Sequence, residues 1–152
     1  MYGSELTSAT LIKLGVAVLV EDAAGGVLLD LRRDCGLWGL PGGRVEAGES
    51  VAAAAIRETQ EETGFEVSLT GLQGVYSEPA GRIVTYDDNG DVRHLVDVVF
   101  TARIVRGRLA CSSESLRLEF FPKNRLPPTE TISLPTLPIL HDYLEGIKGA
   151  VR

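Results

Sequence analysis

Three glutamates, Glu58, Glu61 and Glu62, fall at i, i+3 and i+4 in the segment GRVEAGESVAAAAIRETQEETGF, residues 43–65. On an α-helix this spacing gathers the side chains on one face, about 5–6 Å apart at Cβ. Like charges at that distance repel by about a few tenths of a kcal/mol per pair. A hard divalent cation would remove the repulsion. Magnesium takes oxygen ligands and keeps waters and substrate phosphates in its shell. A solvated acidic helix face accounts for the same three residues equally well, so the carboxylates alone leave both readings open.

The elements around them are readable. Ser50 is an N-cap residue, and Gly64 stands where a left-handed C-terminal residue is wanted, so a helix is expected over Ser50–Thr63. The arc opposite the glutamates carries Ala52, Ile56, Thr59 and Thr63 and is expected to face the core. Leu14–Val20 reads as a buried strand, joined through the turn Asp22–Gly26 to a second strand, Val27–Leu31, as a hairpin. Cys35–Gly48 is glycine-rich and reads as a loop. Strands are expected over Val67–Val75, Arg82–Tyr86, Val92–Val105 and Leu116–Phe121, with Asn89–Gly90 as a hairpin turn. A last helix is expected over Leu137–Ile147, behind prolines that break the chain. Many strands with two well-separated helices predict an α+β domain, a mixed β-sheet flanked by helices.

The chain has 152 residues, one domain's worth, and residues 1–10 read as a loose leader. The net charge of −6 offers no electrostatic footprint for duplex nucleic acid or an anionic membrane. A small anionic substrate stays allowed, because a bound cation reverses the local field. Cys35 and Cys111 form no CxxC pattern and read as reduced thiols, and the first apolar run is too short to span a bilayer. Together these features point to a cytoplasmic location. With only His94 and His141 besides the two cysteines, a zinc site is not expected.

The segment resembles the signature of the Nudix hydrolase family, G-x5-E-x7-R-E-U-x-E-E-x-G-U, where U is bulky and aliphatic. Gly43, Glu49, Arg57, Glu58, Glu61, Glu62, Gly64 and Phe65 all stand in register. Thr59 departs at the first U, where its hydroxyl can bond the carbonyl of Ala55 one turn back. Eight positions at fixed spacing are far more specific than a lone glycine motif. The resemblance extends to Leu37–Gly43 as a lead-in loop and to Phe120–Pro122 with Leu126–Pro127 as a late strand and turn, covering most of residues 14–147.

The resemblance implies a Nudix fold of the α-β-α sandwich type and a MutT-like pyrophosphohydrolase. Its metal would be Mg2+, with Mn2+ as a substitute, held by Glu58, Glu61 and Glu62, with the Gly42 carbonyl as a further ligand. The base that activates water would be Glu58 or a carboxylate outside the segment. Glu114 matches a position where some members place an additional metal-binding or basic glutamate, with Glu119 as the fallback. Arg57, Glu49, Gly43 and Gly64 are implied to be structural. Substrate classes are a nucleoside diphosphate linked to another group, such as ADP-ribose, or a nucleoside triphosphate, including oxidised forms. Tyr76, Arg82, Tyr86, Arg93 and His94 could contact the base or phosphates, and each also reads as a strand or hairpin surface residue; Arg82 and Tyr86 are the substrate-binding candidates. Three alternatives stand beside this reading: a catalytically silent nucleotide sensor, an isoprenoid-diphosphate isomerase for which Cys35 would be the reactive thiol, and an RNA-decapping enzyme, disfavoured by the acidic charge. Homodimers are common in such a family, which makes a homodimer a further expectation.

Overall fold

A computed structural model describes Leu6, residues 10–86 and residues 89–152. The expected leader therefore lies almost wholly outside the described residues, as do Asp87 and Asp88.

Among the described residues nine strands join one mixed sheet. Strand β1 (Leu11–Glu21) runs parallel to β7 (Val92–Gly107) along its whole length, from Leu11 opposite Arg93 to Glu21 opposite Arg103. Strand β5 (Phe65–Tyr76) lies antiparallel to β7 and parallel to the short β9 (Ala150–Val151). Strand β6 (Ile83–Thr85) pairs with β7 across the expected Asn89–Gly90 turn. Beyond β1, β2 (Val27–Arg32) pairs with β3 (Trp38–Gly39) and β8 (Ser115–Phe121). Strand β4 (Gly42–Arg44) pairs with β1.

The apolar run of β1 follows from burial on both faces. Val16, Val18 and Val20 pack with Leu28, Ala54 and Ala55 beneath helix α1 (Val51–Thr63). Leu19 points the other way and joins Leu29, Tyr76, Val99, Ile139, Leu140 and Tyr143 under helix α2 (Leu137–Leu144). One sheet with a helix on each face is the α-β-α arrangement expected above.

Helix α1 begins where Ser50 Oγ accepts from the Ala53 N–H at 3.0 Å and ends at Gly64, whose φ of 77° is left-handed. Its buried arc differs from the expected one. Thr59 and Thr63 are buried, but Ala54, Ala55 and Glu62 complete the arc, and Ala52 and Ile56 are only half-buried. One of the three glutamates thus lies on the core side of the helix.

The Thr59 hydroxyl donates to the Ala55 carbonyl at 2.7 Å. That bond stays within the helix and satisfies no neighbouring element, and such back-bonding slightly weakens helices. Thr59→Val is therefore expected to leave the melting temperature unchanged or raise it by up to about 3 °C. A fall of several degrees by calorimetry would show that the hydroxyl does more than bond its own helix.

Three expectations are corrected. The turn after β1 forms, with Asp22 Oδ1 accepting from the N–H groups of Ala24 and Gly26, but β1 and β2 pair only at Glu21 and Val27. The strands diverge because β1 is taken up by β7 and β4, and β2 by β3 and β8. The Cys35–Gly48 loop contains strand β3, which closes a short hairpin on β2, and strand β4, which pairs with β1 further back in the chain. The last helix stops at Leu144, since Gly146 adopts a left-handed φ of 72° just beyond it.

Candidate active site

Two glycines bring the acidic helix against the sheet. The Gly42 N–H donates to Glu62 Oε2 at 2.8 Å. At Gly43 the Glu58 carboxylate lies against the backbone: a Cβ there would stand 2.5 Å from Glu58 Cδ and 2.6 Å from each of its oxygens. β4 owes its position to pairing with β1, where Gly42 faces Ala17 and Gly43 faces Val16.

Arg57 organises the exposed side. Its Nε and Nη2 donate to the two oxygens of Glu49 at 2.7 and 3.0 Å, a two-pronged charge-assisted pair. Its Nη1 donates to Glu58 Oε1 at 3.0 Å and Glu61 Oε2 at 3.2 Å, and its Nη2 also reaches the Arg44 carbonyl at 3.1 Å. The hydrogen bond from Arg57 pulls the Glu49 carboxyl down to about 2, helped by the Glu46 N–H.

Glu62 is 7% exposed. Burial pushes its carboxyl up to about 8, partly opposed by the Gly42 N–H; nearby Asp30 adds to the rise and Arg32 counters it. Asp30, on β2, is a buried carboxylate that the sequence reading missed. Ser115 Oγ donates to its Oδ2 at 2.9 Å, while its Oδ1 has no hydrogen-bond partner. Burial raises its carboxyl as well. The signal was an aspartate inside the apolar run Val27–Leu31.

Glu114 is exposed at the head of β8. Its backbone carbonyl accepts from the Arg33 N–H at 2.8 Å, and its charge contributes to the rise at Asp30. Glu119 is paired with Arg117. Among the described residues no three acidic, histidine or cysteine side chains converge on one point as they stand. Arg57 holds Glu58 and Glu61, the Gly42 N–H holds Glu62, and Glu114 is not gathered with them.

A cleft of about 590 Å³ opens beside Gly42 and Gly43, a size within the range of small-molecule sites. Gly15, Ala17, Leu95 and Asp97 line it from the sheet, with Tyr86, Val84 and Ile139 around them. Lys13 Nζ donates to Tyr86 Oη at 2.9 Å within it. Arg82, expected to touch substrate, instead turns inward. It is 2% exposed and donates to Asp97 Oδ2 at 2.5 Å and to the Pro135 carbonyl at 2.8 Å. Tyr76 is fully buried and donates to Asp142 Oδ2 at 3.0 Å. Trp38 packs edge-on against Phe121, with ring centroids 5.0 Å apart. Cys35 borders the cleft, but burial pushes its thiol up, opposite to the shift that activates a nucleophilic thiol.

The donor set fits a hard divalent cation. It consists of carboxylate and carbonyl oxygens, and one carboxylate is buried at an energetic cost that a cation would offset. A proton on Glu62 competes with such an ion below about pH 8. Magnesium affinity measured by calorimetry is therefore expected to rise about tenfold per pH unit between pH 6 and 8, then to level off. A flat profile would separate Glu62 from metal binding.

The NUDIX domain family profile matches residues 11–141. Over 114 residues the chain is 34% identical to an ADP-ribose pyrophosphatase of Methanocaldococcus jannaschii, covering 75% of this chain and 61% of that protein. Over the same length it is 38% identical to a putative 8-oxo-dGTP diphosphatase of Bacillus subtilis, covering 74% and 68%. A MutT-like protein of Streptomyces ambofaciens is 40% identical over 148 residues, covering 97% and 87%. The crystal structure of a NUDIX hydrolase from Nitrosomonas europaea superposes with a TM-score of 0.72 at 25% identity, covering 93% of this chain and 76% of that one. The chain belongs to the Nudix hydrolase family. In the first of these relatives it spans less than two thirds of the length.

Proposed function

We propose that this chain is a pyrophosphohydrolase that cleaves the phosphoanhydride of a nucleoside diphosphate derivative or a nucleoside triphosphate, with Mg2+ as its metal and Mn2+ as a substitute. One observation carries the reading: Glu58 and Glu62 both lie against Gly42 and Gly43 of β4, at the edge of a cleft large enough for a nucleotide. The relatives named as an ADP-ribose pyrophosphatase and a putative 8-oxo-dGTP diphosphatase point to the same two substrate classes.

Glu58, Glu61, Glu62 and the Gly42 carbonyl are the groups that would hold the metal. When bound, it neutralises charge on the phosphate oxygens and acidifies a water for attack. The chain's own residues do the rest. Arg57 presents Glu58 and Glu61 from one fixed guanidinium and is anchored by Glu49, which would keep both carboxylates oriented for a metal. Gly43 admits the Glu58 carboxylate to the cleft edge, where it can take a proton from water. The Gly42 N–H fixes the orientation of Glu62. Free thiols at Cys35 and Cys111 suit the cytoplasm.

The test is chromatographic detection of hydrolysis products, a nucleoside mono- or diphosphate and the phosphorylated remainder, from a panel of nucleoside triphosphates, 8-oxo-dGTP, ADP-ribose, nucleotide sugars, dinucleoside polyphosphates and capped RNA, with magnesium and then with EDTA. Magnesium-dependent cleavage of one class is expected. Tight binding of a nucleotide with no cleavage of any would mark a sensor instead.

A further inference from the structure

Lys13, Arg32, Asp34 and Asp97 are the charged residues that line the cleft, and Asp97 is the carboxylate on its sheet wall. Asp97 of β7 lies opposite Gly15 of β1. A Cβ at Gly15 would stand 2.4 Å from Asp97 Oδ1, so the missing side chain is what lets the carboxylate lie across the sheet. Asp97 Oδ2 is taken by Arg82, itself buried and tied to the Pro135 carbonyl. The Asp97 side chain keeps 19% of its surface open, and the residue borders the cleft. Burying an arginine is costly. Here it fixes one carboxylate oxygen and leaves Oδ1 beside Gly15, on the wall of the cleft.

The surroundings narrow what that oxygen can meet. Val84, Tyr86, Leu95 and Ile139 supply apolar and aromatic surface to the same cleft, while the ammonium of Lys13, near Gly15 on β1, is engaged by the Tyr86 hydroxyl. A carboxylate repels phosphate, which belongs at the Gly42–Gly43 end beside the metal ligands. An anionic acceptor among apolar walls suits a flat heterocycle with N–H donors along its edge. Guanine-type bases present N1–H and the 2-amino group side by side. Adenine sets its N1 acceptor beside its amine, and a carboxylate repels that acceptor.

We propose that Asp97 is a specificity-determining residue that selects guanine-type bases over adenine by accepting hydrogen bonds from N1–H and the 2-amino group. This rests on the nucleotide reading of the cleft given above. An unmatched buried acceptor is what makes such a site reject the wrong base.

The test uses the full-length chain and ligands that cannot be hydrolysed at an anhydride. Guanosine, inosine, 1-methylguanosine and adenosine 5′-monophosphates are titrated in metal-free buffer, with binding followed by NMR. Guanosine monophosphate is expected to bind about tenfold or more tighter than the adenosine and 1-methylguanosine compounds, with inosine monophosphate between them. Asp97→Asn, checked for folding by circular dichroism, is expected to erase or invert that order. With Oδ still held by Arg82, its amide would turn donors toward the base. Because the ligand series is read on the unaltered protein, a variant that fails to fold leaves the test intact. Equal affinities across the series, or no binding of guanosine monophosphate at millimolar concentration, would overturn the assignment. Hydrolysis is not involved. A guanine preference without any cleavage would count against the hydrolase reading alone, and cleavage with no base preference against Asp97 alone.

Discussion

Glu62→Gln is expected to stabilise the metal-free protein at pH 8 and to abolish its turnover. The two effects share one cause. Glu62 has an ordinary value near 4.5 in the unfolded chain and is pushed up to about 8 in the fold, first of all by burial. Between those values the folded state holds a proton that the unfolded state has released. Stability is therefore undiminished below about pH 4.5 and falls as the pH rises towards 8. Glutamine carries no charge to desolvate and keeps an oxygen for the Gly42 N–H. The variant should gain on the order of 3 kcal/mol at pH 8, about 5 °C or more in melting temperature, and less than about 1 kcal/mol at pH 5. Turnover should fall by about 10³-fold or more, because a neutral amide is a poor ligand for a hard cation. Melting curves at pH 5 and pH 8, set beside magnesium-dependent substrate hydrolysis followed by chromatography, read both effects. A variant that is destabilised at pH 8, or that turns over normally, contradicts the role given to this residue.

The second large effect separates two adjacent glycines. At Gly42 a Cβ would stand 2.1 Å from the Val16 carbonyl oxygen and 2.8 Å from Ala17 Cα, both backbone atoms of the central strand. Nothing there can yield, so Gly42→Ala should cost on the order of 3 kcal/mol or more of stability through loss of the β1–β4 pairing. At Gly43 the obstructing atoms are the end of the Glu58 side chain, which can swing away. Gly43→Ala should therefore melt within about 2 °C of the parent yet lose about 100-fold in turnover, since misplacing a reacting group by about 1 Å costs that much. Full activity in a folded Gly43→Ala protein would show that the position of Glu58 against β4 is unimportant.

Local signals made much of this legible in the sequence. Ser50, Gly64 and the i, i+3, i+4 glutamates set the extent of α1 and the content of its acidic face, and both are short-range properties of a helix. Most departures arise from contacts distant in sequence. Strand β4 looks like loop because it is extended by pairing with β1, and β3 because two residues in a glycine-rich stretch carry no strand pattern of their own. β1 and β2 look like a plain hairpin because its parallel partner β7 lies some eighty residues further on. Glu62 reads as exposed with its two companions, and only the docking of Gly42 over the helix buries it. Arg82 reads as a surface residue on a hairpin, whereas Asp97 and the Pro135 carbonyl draw it inside. Asp30 and Asp97 did leave a trace, a single carboxylate within the apolar runs Val27–Leu31 and Leu95–Phe100, and an unexplained charge in such a setting is a useful pointer to a site.

The carboxylates of α1 as the metal site are tested most directly by manganese binding at pH 8, followed by electron paramagnetic resonance in the parent protein and in Glu58→Gln and Glu62→Gln. Saturable binding that weakens by about 30-fold or more in each folded variant is the predicted result. Equal affinity in all three proteins would place the metal elsewhere and contradict the account.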